Sequence, residues 1–257
     1  MPQRYRHLAE YYDAEYAGQR MLRHDVPFFL GQLPARSQSI LELCAGTGRA
    51  AIPMAQAGHR VVGVDYAPDM LGIARRKRDA ARLGEKRLEL VRSDVLKLNL
   101  GQRFDWVCIF FNTFLSFATP AQQDRLLGIV RAHLKPRGRL WLDVFNPDLS
   151  LIANPKLENV DACTFFVPHL KRTVNRSASL QRIAPQIERC TFHYKWFDEA
   201  GHENHSRMTF DLTFLFEREL RLLLERNGLK IEKLWGNYDG SALKLSSPRM
   251  IARCCRT

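Results

Sequence analysis

Between residues 39 and 145, short β-rich runs alternate with helical stretches. Ser39-Ile40-Leu41-Glu42-Leu43-Cys44, residues 60–65 (RVVGVD), 88–92 (LELVR), 105–110 (DWVCIF) and 139–145 (RLWLDVF) are five predicted strands. Pro68-Asp69 opens a helix running through Met70, Ile73 and Ala74 towards Gly84, and Pro120 opens another that Lys135-Pro136 ends. Strand and helix in alternation imply right-handed crossovers. This order predicts a mostly parallel sheet with helices on both faces.

The pattern breaks from about 146 to 185 into segments containing Pro and Asn, then changes period. Cys190, Phe192, Tyr194 and Trp196 share one face of an alternating run, and Met208, Phe210, Leu212 and Phe214 form the matching stripe beyond Asp198-Glu199-Ala200-Gly201. These runs predict an antiparallel hairpin with one buried face. A helix over 217–227 and strands at 230–235 and 249–254 complete the chain. The expected plan is a core from 35–145 and 215–257, an antiparallel insertion at 146–214 and an N-terminal segment at 1–34.

Composition changes this picture little. The 257 residues, 46% hydrophobic and 26% charged, suit a folded α/β domain and exclude disordered and fibrous classes. No run is apolar enough to span a membrane or act as a secretion signal, so a cytoplasmic address is expected. Six cysteines show no CxxC pair or His-spaced cluster, so reduced thiols and no metal site are expected. The formal net charge of +12 raises the question of a nucleic-acid partner. Its densest run, Arg75-Arg76-Lys77-Arg78, falls in a predicted helix, where a solvated outer face explains it.

In open parallel sheets ligands bind outside the carboxyl ends of the strands, so the residues following each strand belong together. Strand one ends in Glu42-Leu43-Cys44-Ala45-Gly46-Thr47-Gly48, where two glycines let a ligand approach the backbone at a helix start. Strand two ends in Asp65, about 20 residues on, a carboxylate suited to ribose hydroxyls. Strand three is followed by Ser93-Asp94-Val95, an acceptor for an exocyclic amine such as that of adenine.

These runs together resemble the class I S-adenosylmethionine-dependent methyltransferases. ILELCAGTGRAAIPMAQAGHRVVGVDYAPDMLGIAR is similar to the family's first two motifs, VRSDVLKLNLGQRFDWVCIFFNTF to the next two, and LLGIVRAHLKPRGRLWLDVF to the helix and strand that follow. The resemblance implies a Rossmann-like, doubly wound, mostly parallel seven-stranded sheet with an antiparallel β insertion and an N-terminal helical lid. It further implies S-adenosylmethionine as cofactor and S-adenosylhomocysteine as product. Gly46 and Gly48, with Cys44 and Ala45, would line the methionine part, and Glu42 would lie beneath it. Asp65 would bind the ribose, with Tyr66 and Met70 near the adenine, and Ser93, Asp94 and Val95 would meet that ring. Phe111 and Asn112 would stand beside the transferable methyl. The family usually has Gly where this chain has Cys44.

The insertion is similar to the extra sheet that roofs the acceptor pocket in glycine, amino-sugar and peptide N-methyltransferases. A small-molecule acceptor follows, with nitrogen ahead of oxygen. Tyr12 and Tyr16 in the lid, Asn112, Asn146 and Tyr238 are the candidate catalytic residues, and Arg249 is a further pocket candidate. Asn112-Thr113-Phe114 departs from the motif used on exocyclic base amines, which counts against a nucleic-acid substrate. Three other readings stand beside this one: an RNA methyltransferase, a nicotinamide-dependent oxidoreductase on the turn Gly46-Thr47-Gly48-Arg49-Ala50-Ala51, and a regulator that binds the cofactor without turnover. A monomer or homodimer is expected.

Overall fold

The computed structural model describes residues 8–257, so the first seven residues of the expected lid lie outside the described residues. The elements run α1 (Ala9–Ala17), α2 (Asp25–Leu30), β1 (Ser39–Leu43), α3 (Ala51–Gln56), β2 (Arg60–Asp65), α4 (Pro68–Ala80), β3 (Leu88–Arg92) and β4 (Phe104–Ile109). They continue with α5 (Pro120–His133), β5 (Leu134–Phe145), α6 (Leu149–Ile152), β6 (Lys156–Val167), β7 (Arg172–Ala184), β8 (Ile187–Phe197) and β9 (Glu203–Thr213). Last come α7 (Glu217–Arg226), β10 (Leu229–Trp235) and β11 (Arg249–Arg256). No helix among the described residues is long and apolar enough to cross a membrane.

Seven strands form one sheet in the order β10-β11-β5-β4-β1-β2-β3. β11 pairs antiparallel with both β5 and β10, whereas β1 to β5 pair in parallel. The order reverses between β1 and β4, which opens a crevice at their carboxyl ends. Successive residues of the central strands serve opposite cores. Leu41 packs towards Leu126, Val130 and Leu224 on one face, and Ile40 joins Phe29, Met54 and Trp141 on the other.

The insertion is larger than the expected hairpin. It is a separate four-stranded antiparallel sheet in the order β6-β7-β8-β9. The predicted stripes do pair, with Cys190 opposite Phe210 and Phe192 opposite Met208. β6 and β7 escaped the periodicity reading because little of β6 is buried, apart from Phe165 and Val167 near its end.

Helix α1 lies between the two sheets. Tyr11 packs against Phe165, Tyr194 and Trp196 of the insertion, while Ala9 and Tyr12 meet Met70 and Ile73 or their neighbours on α4. The basic run in α4 is drawn into this contact. Arg76 pairs with Glu10 at 2.8 Å and Lys77 with Asp13 at 2.8 Å, so much of its charge is met by α1.

Candidate functional site

The turn after β1 leaves the strand through three residues with left-handed backbone, Cys44 (φ 59°), Gly46 (φ 56°) and Gly48 (φ 75°). Glycine adopts that region freely, and a side chain added at Gly48 would press on Ile52 Cδ1 at 3.1 Å. Cys44 holds the same conformation with a β-carbon, which costs about 1–2 kcal/mol. This explains why glycine is the usual residue at that position in the resembled family.

Asp65 at the end of β2 faces this turn. Its Oδ2 accepts from the Gly46 N–H at 2.8 Å and its Oδ1 from the Ala67 N–H at 2.8 Å. Burial raises its carboxyl above the ordinary range, against the lowering effect of these amides. Met70 Cε lies 3.7 Å from where a Gly46 β-carbon would stand, and Tyr66 is half-exposed on the same rim. Asp94 caps the short turn Val95–Lys97 by accepting from the Leu96 N–H at 2.9 Å, so its loop-holding role is real as well.

Glu42 points from β1 into the protein at 4% exposure. Burial pushes its carboxyl up to about 8, although Arg49 opposes the shift. Its Oε2 is enclosed and accepts no hydrogen bond. Arg49 is instead held by Asp25 of α2 at 2.7 Å.

At the end of β4 two consecutive residues, Phe111 (φ 46°) and Asn112 (φ 61°), are left-handed. Asp143 of β5 holds both: its Oδ2 accepts from the Phe111 N–H at 3.3 Å and its carbonyl from the Asn112 N–H at 3.0 Å. Strained backbone of this kind persists only where its surroundings over-determine it. Those surroundings are buried polar partners. Tyr238 donates its O–H to Asp143 Oδ2 at 2.6 Å, and Arg249 Nη2 donates to Oδ1 at 2.6 Å.

An aromatic row crosses above this turn. Tyr12 and Tyr16 of α1 have ring centroids 4.7 Å apart, and Tyr16 meets Phe111 edge-on at 5.3 Å. Arg49 and Arg249 lie over the Phe111 ring at 5.8 and 5.6 Å. Burial raises the Tyr12 hydroxyl to about 12. Helix α1 is tied down beside the glycine turn by Thr47, whose Oγ1 donates to Asp13 at 2.7 Å.

The structure thus gathers Glu42, Cys44, Ala45, Gly46, Gly48, Asp65, Tyr66, Met70, Ser93, Asp94, Val95, Phe111 and Asn112 along one edge of the sheet, with Tyr12 and Tyr16 over it. Three sequence candidates take supporting places instead. Tyr238 is 7% exposed with its hydroxyl on Asp143, and Arg249 is 3% exposed on the same carboxylate. Asn146 donates Nδ2 to the carbonyls of Leu245 and Ser247 at 3.2 and 3.0 Å, pinning the loop before β11. Asn112 also spends its side-chain oxygen on the backbone, accepting from the Phe145 N–H at 2.7 Å.

Asp25, Arg49 and Asp143 were not singled out from sequence. One signal was present: Asp143 is the lone charge inside the apolar run LWLDVF of a central strand, where an acid is tolerated only with partners.

A crevice at the reversal of strand order, two glycines at a helix start, an acid after β2 and a second after β3 define a nucleoside-cofactor site on a doubly wound sheet. The chemistry of the donor set suits a cationic sulfonium amino acid better than a pyrophosphate, because Glu42 places an enclosed acid beneath the turn. Residues 40–138 match the methyltransferase domain family. This segment is similar to the domain of class I S-adenosylmethionine-dependent methyltransferases, and S-adenosylmethionine is the cofactor that fits its site.

The chain is 27% identical over 219 residues to a cypemycin N-terminal methyltransferase from Streptomyces sp, covering 85% of this chain and 83% of that one. It is 38% identical over 131 residues to a demethylmenaquinone methyltransferase from Thermus thermophilus, covering 50% of this chain and 55% of that one. Its fold matches the solved structure of CalS10, an amino pentose methyltransferase from Micromonospora echinaspora, with TM-score 0.71, 22% identity and 96% of both chains covered. These matches replace the nicotinamide reading of the glycine turn.

Proposed function

We propose that the protein transfers a methyl group from S-adenosylmethionine to an amine nitrogen of a small-molecule acceptor. The observation that carries this reading is the row Tyr12, Tyr16 and Phe111 laid across the strained turn at the end of β4. The rings exclude water from the transfer point, and their faces favour positive charge there.

The bound cofactor supplies an electrophilic methyl group on a sulfonium. In this reading the Gly46–Gly48 backbone and Glu42 receive its amino-acid end, Asp65 its ribose hydroxyls, and Tyr66, Met70, Asp94 and Val95 its adenine. Tyr12, with a hydroxyl raised to about 12, stays neutral near neutral pH and orients groups rather than removing a proton. An amine that arrives uncharged needs no stronger base, so positioning supplies most of the acceleration. Asn112, Asn146, Tyr238 and Arg249 act by holding the backbone around the transfer point.

The relatives favour nitrogen for a reason of coverage. The match to the cypemycin enzyme takes in most of this chain, insertion included, whereas the match to the quinone enzyme reaches only half of it. Acceptor choice belongs to the insertion and lid.

Mass spectrometry of reactions containing S-adenosylmethionine and matched acceptor pairs tests the reading. The pairs are a peptide with a free or acetylated N-terminus and a nucleotide-linked sugar with an amino or a hydroxyl group. Methylation confined to the free amines is expected. Methylation of the hydroxyl or acetylated partners alone would overturn it.

A further inference from the structure

The buried charges beneath the transfer point do not balance. Asp25, Glu42 and Asp143 are 0, 4 and 0% exposed, and among the described residues the cations that pair with this group are Arg49 and Arg249. Asp25 holds Arg49 at 2.7 Å and Asp143 holds Arg249 at 2.6 Å. Glu42 is the acid in excess, and its enclosed Oε2 meets no donor.

The groups facing Glu42 come from every element packed against it. They are Tyr12 of α1, Asp25 of α2, Arg49 and the Ala51 N–H at the start of α3, Asp65 of β2, and Cys108, its register partner on β4. Arg49 is the one cation among them, and Asp25 already engages it. An enclosed carboxylate without its own counter-charge is strongly disfavoured, so such a group keeps its proton until a cation arrives.

S-adenosylmethionine brings that cation. Near neutral pH its ammonium and sulfonium outweigh its carboxylate by one charge, whereas S-adenosylhomocysteine lacks the sulfonium and is neutral overall. We propose that Glu42 is a charge-matching residue, a protonated carboxyl that loses its proton when S-adenosylmethionine binds and regains it once the methyl group has left. The inference rests on the cofactor reading of the site given above. In the binding step the carboxyl O–H bond breaks, the electron pair stays on the carboxylate, and the proton passes to a buffer base. Nothing is oxidised or reduced. The residue thereby separates substrate from product by charge, which favours exchange of spent cofactor for fresh.

Burial sets the window. With the Glu42 carboxyl raised to about 8, binding of the sulfonium form must remove a proton at lower pH, so its affinity falls with acidification. The preference for S-adenosylmethionine over S-adenosylhomocysteine should shrink by up to about tenfold per pH unit between about pH 8 and pH 6.

The test is titration calorimetry of the full chain near neutral pH with each ligand, in buffers of different ionisation enthalpy. The dependence of the heat on the buffer counts protons, and subtracting the two ligands cancels their shared amino-acid group. Up to one more proton released with S-adenosylmethionine is expected, with the difference lost in Glu42→Gln. That variant should bind S-adenosylmethionine at least tenfold more weakly and S-adenosylhomocysteine within about twofold of the parent protein. Equal proton counts for the two ligands in the parent protein would overturn the proposal whatever the variant does. A difference that survives in Glu42→Gln would assign it to another group and overturn it equally. No heat with either ligand would remove the cofactor reading itself, and the proposal with it.

Discussion

Glu15 and Glu42 are equally deep in the protein, each 4% exposed, yet their surroundings are opposite. Glu15, on α1, lies 3.0 Å from Arg176 Nε and accepts from the Tyr194 O–H at 3.0 Å. Arg176 also reaches Asp161 at 2.9 Å, and its guanidinium covers the Phe192 ring at 4.5 Å. Glu42 has a hydrogen bond from the Ala51 N–H, a neighbouring cation already engaged by Asp25 and an Oε2 that accepts nothing. One acid ties α1 to the antiparallel sheet, and the other lies beneath the Gly46–Gly48 turn. Burial of an acid therefore says little by itself about its role; the completeness of its partners decides.

The largest effect that would break this contrast is at the pair of Glu15 with Arg176. Arg176→Met leaves Glu15 enclosed without its cation and should cost about 3–5 kcal/mol in urea denaturation. A loss under about 1 kcal/mol would show that α1 does not depend on the pair. On the cofactor side, Asp65→Ala should weaken S-adenosylhomocysteine binding by about 1–3 kcal/mol in calorimetry. Unchanged affinity would take the ribose assignment away from Asp65.

Folding also depends on pH through both acids. Burial raises Glu15 to about 7 and Glu42 to about 8 from an ordinary 4.5, so the folded chain binds more protons than the unfolded one. Their contribution to stability is complete below about pH 4.5 and is lost as pH rises through about 7 for Glu15 and 8 for Glu42. Each group changes stability by at most about 1.4 kcal/mol per pH unit inside its window. Glu42→Gln should flatten the loss between about pH 7 and 8 and leave the loss due to Glu15 in place. The smallest effect belongs to the glycine turn. Cys44→Gly relieves the left-handed strain but adds backbone freedom to the unfolded chain, for a net gain of about 0.5 kcal/mol, read as a slightly higher Tm.

Much of the cofactor edge was legible because its signals are local. β2 occupies the expected residues 60–65, and α4 and α5 begin at the expected prolines, since proline fits the first helical turn. Gly46 and Asp65 meet at the ends of neighbouring strands, because parallel β1 and β2 bring their carboxyl ends together. The insertion was half legible. β8 and β9 alternate clearly, but β6 is mostly exposed and carries no stripe to read. β5 begins at Leu134 rather than at residue 139, because Leu134 pairs with Phe104 across the sheet.

The parallel α/β order, the glycine turn and the acids after β2 and β3 are properties of short contiguous stretches whose period and backbone preference are intrinsic. Which buried charges find partners depends instead on long-range packing. Asp143 meets Arg249 across 106 positions, Tyr238 turns inward to the same carboxylate, and Glu15 finds Arg176 on a different sheet. Pairings of that kind depend on which elements the fold brings into contact, and no local pattern carries that information. The same packing left Glu42 enclosed beneath the Gly46–Gly48 turn with an Oε2 that accepts no hydrogen bond.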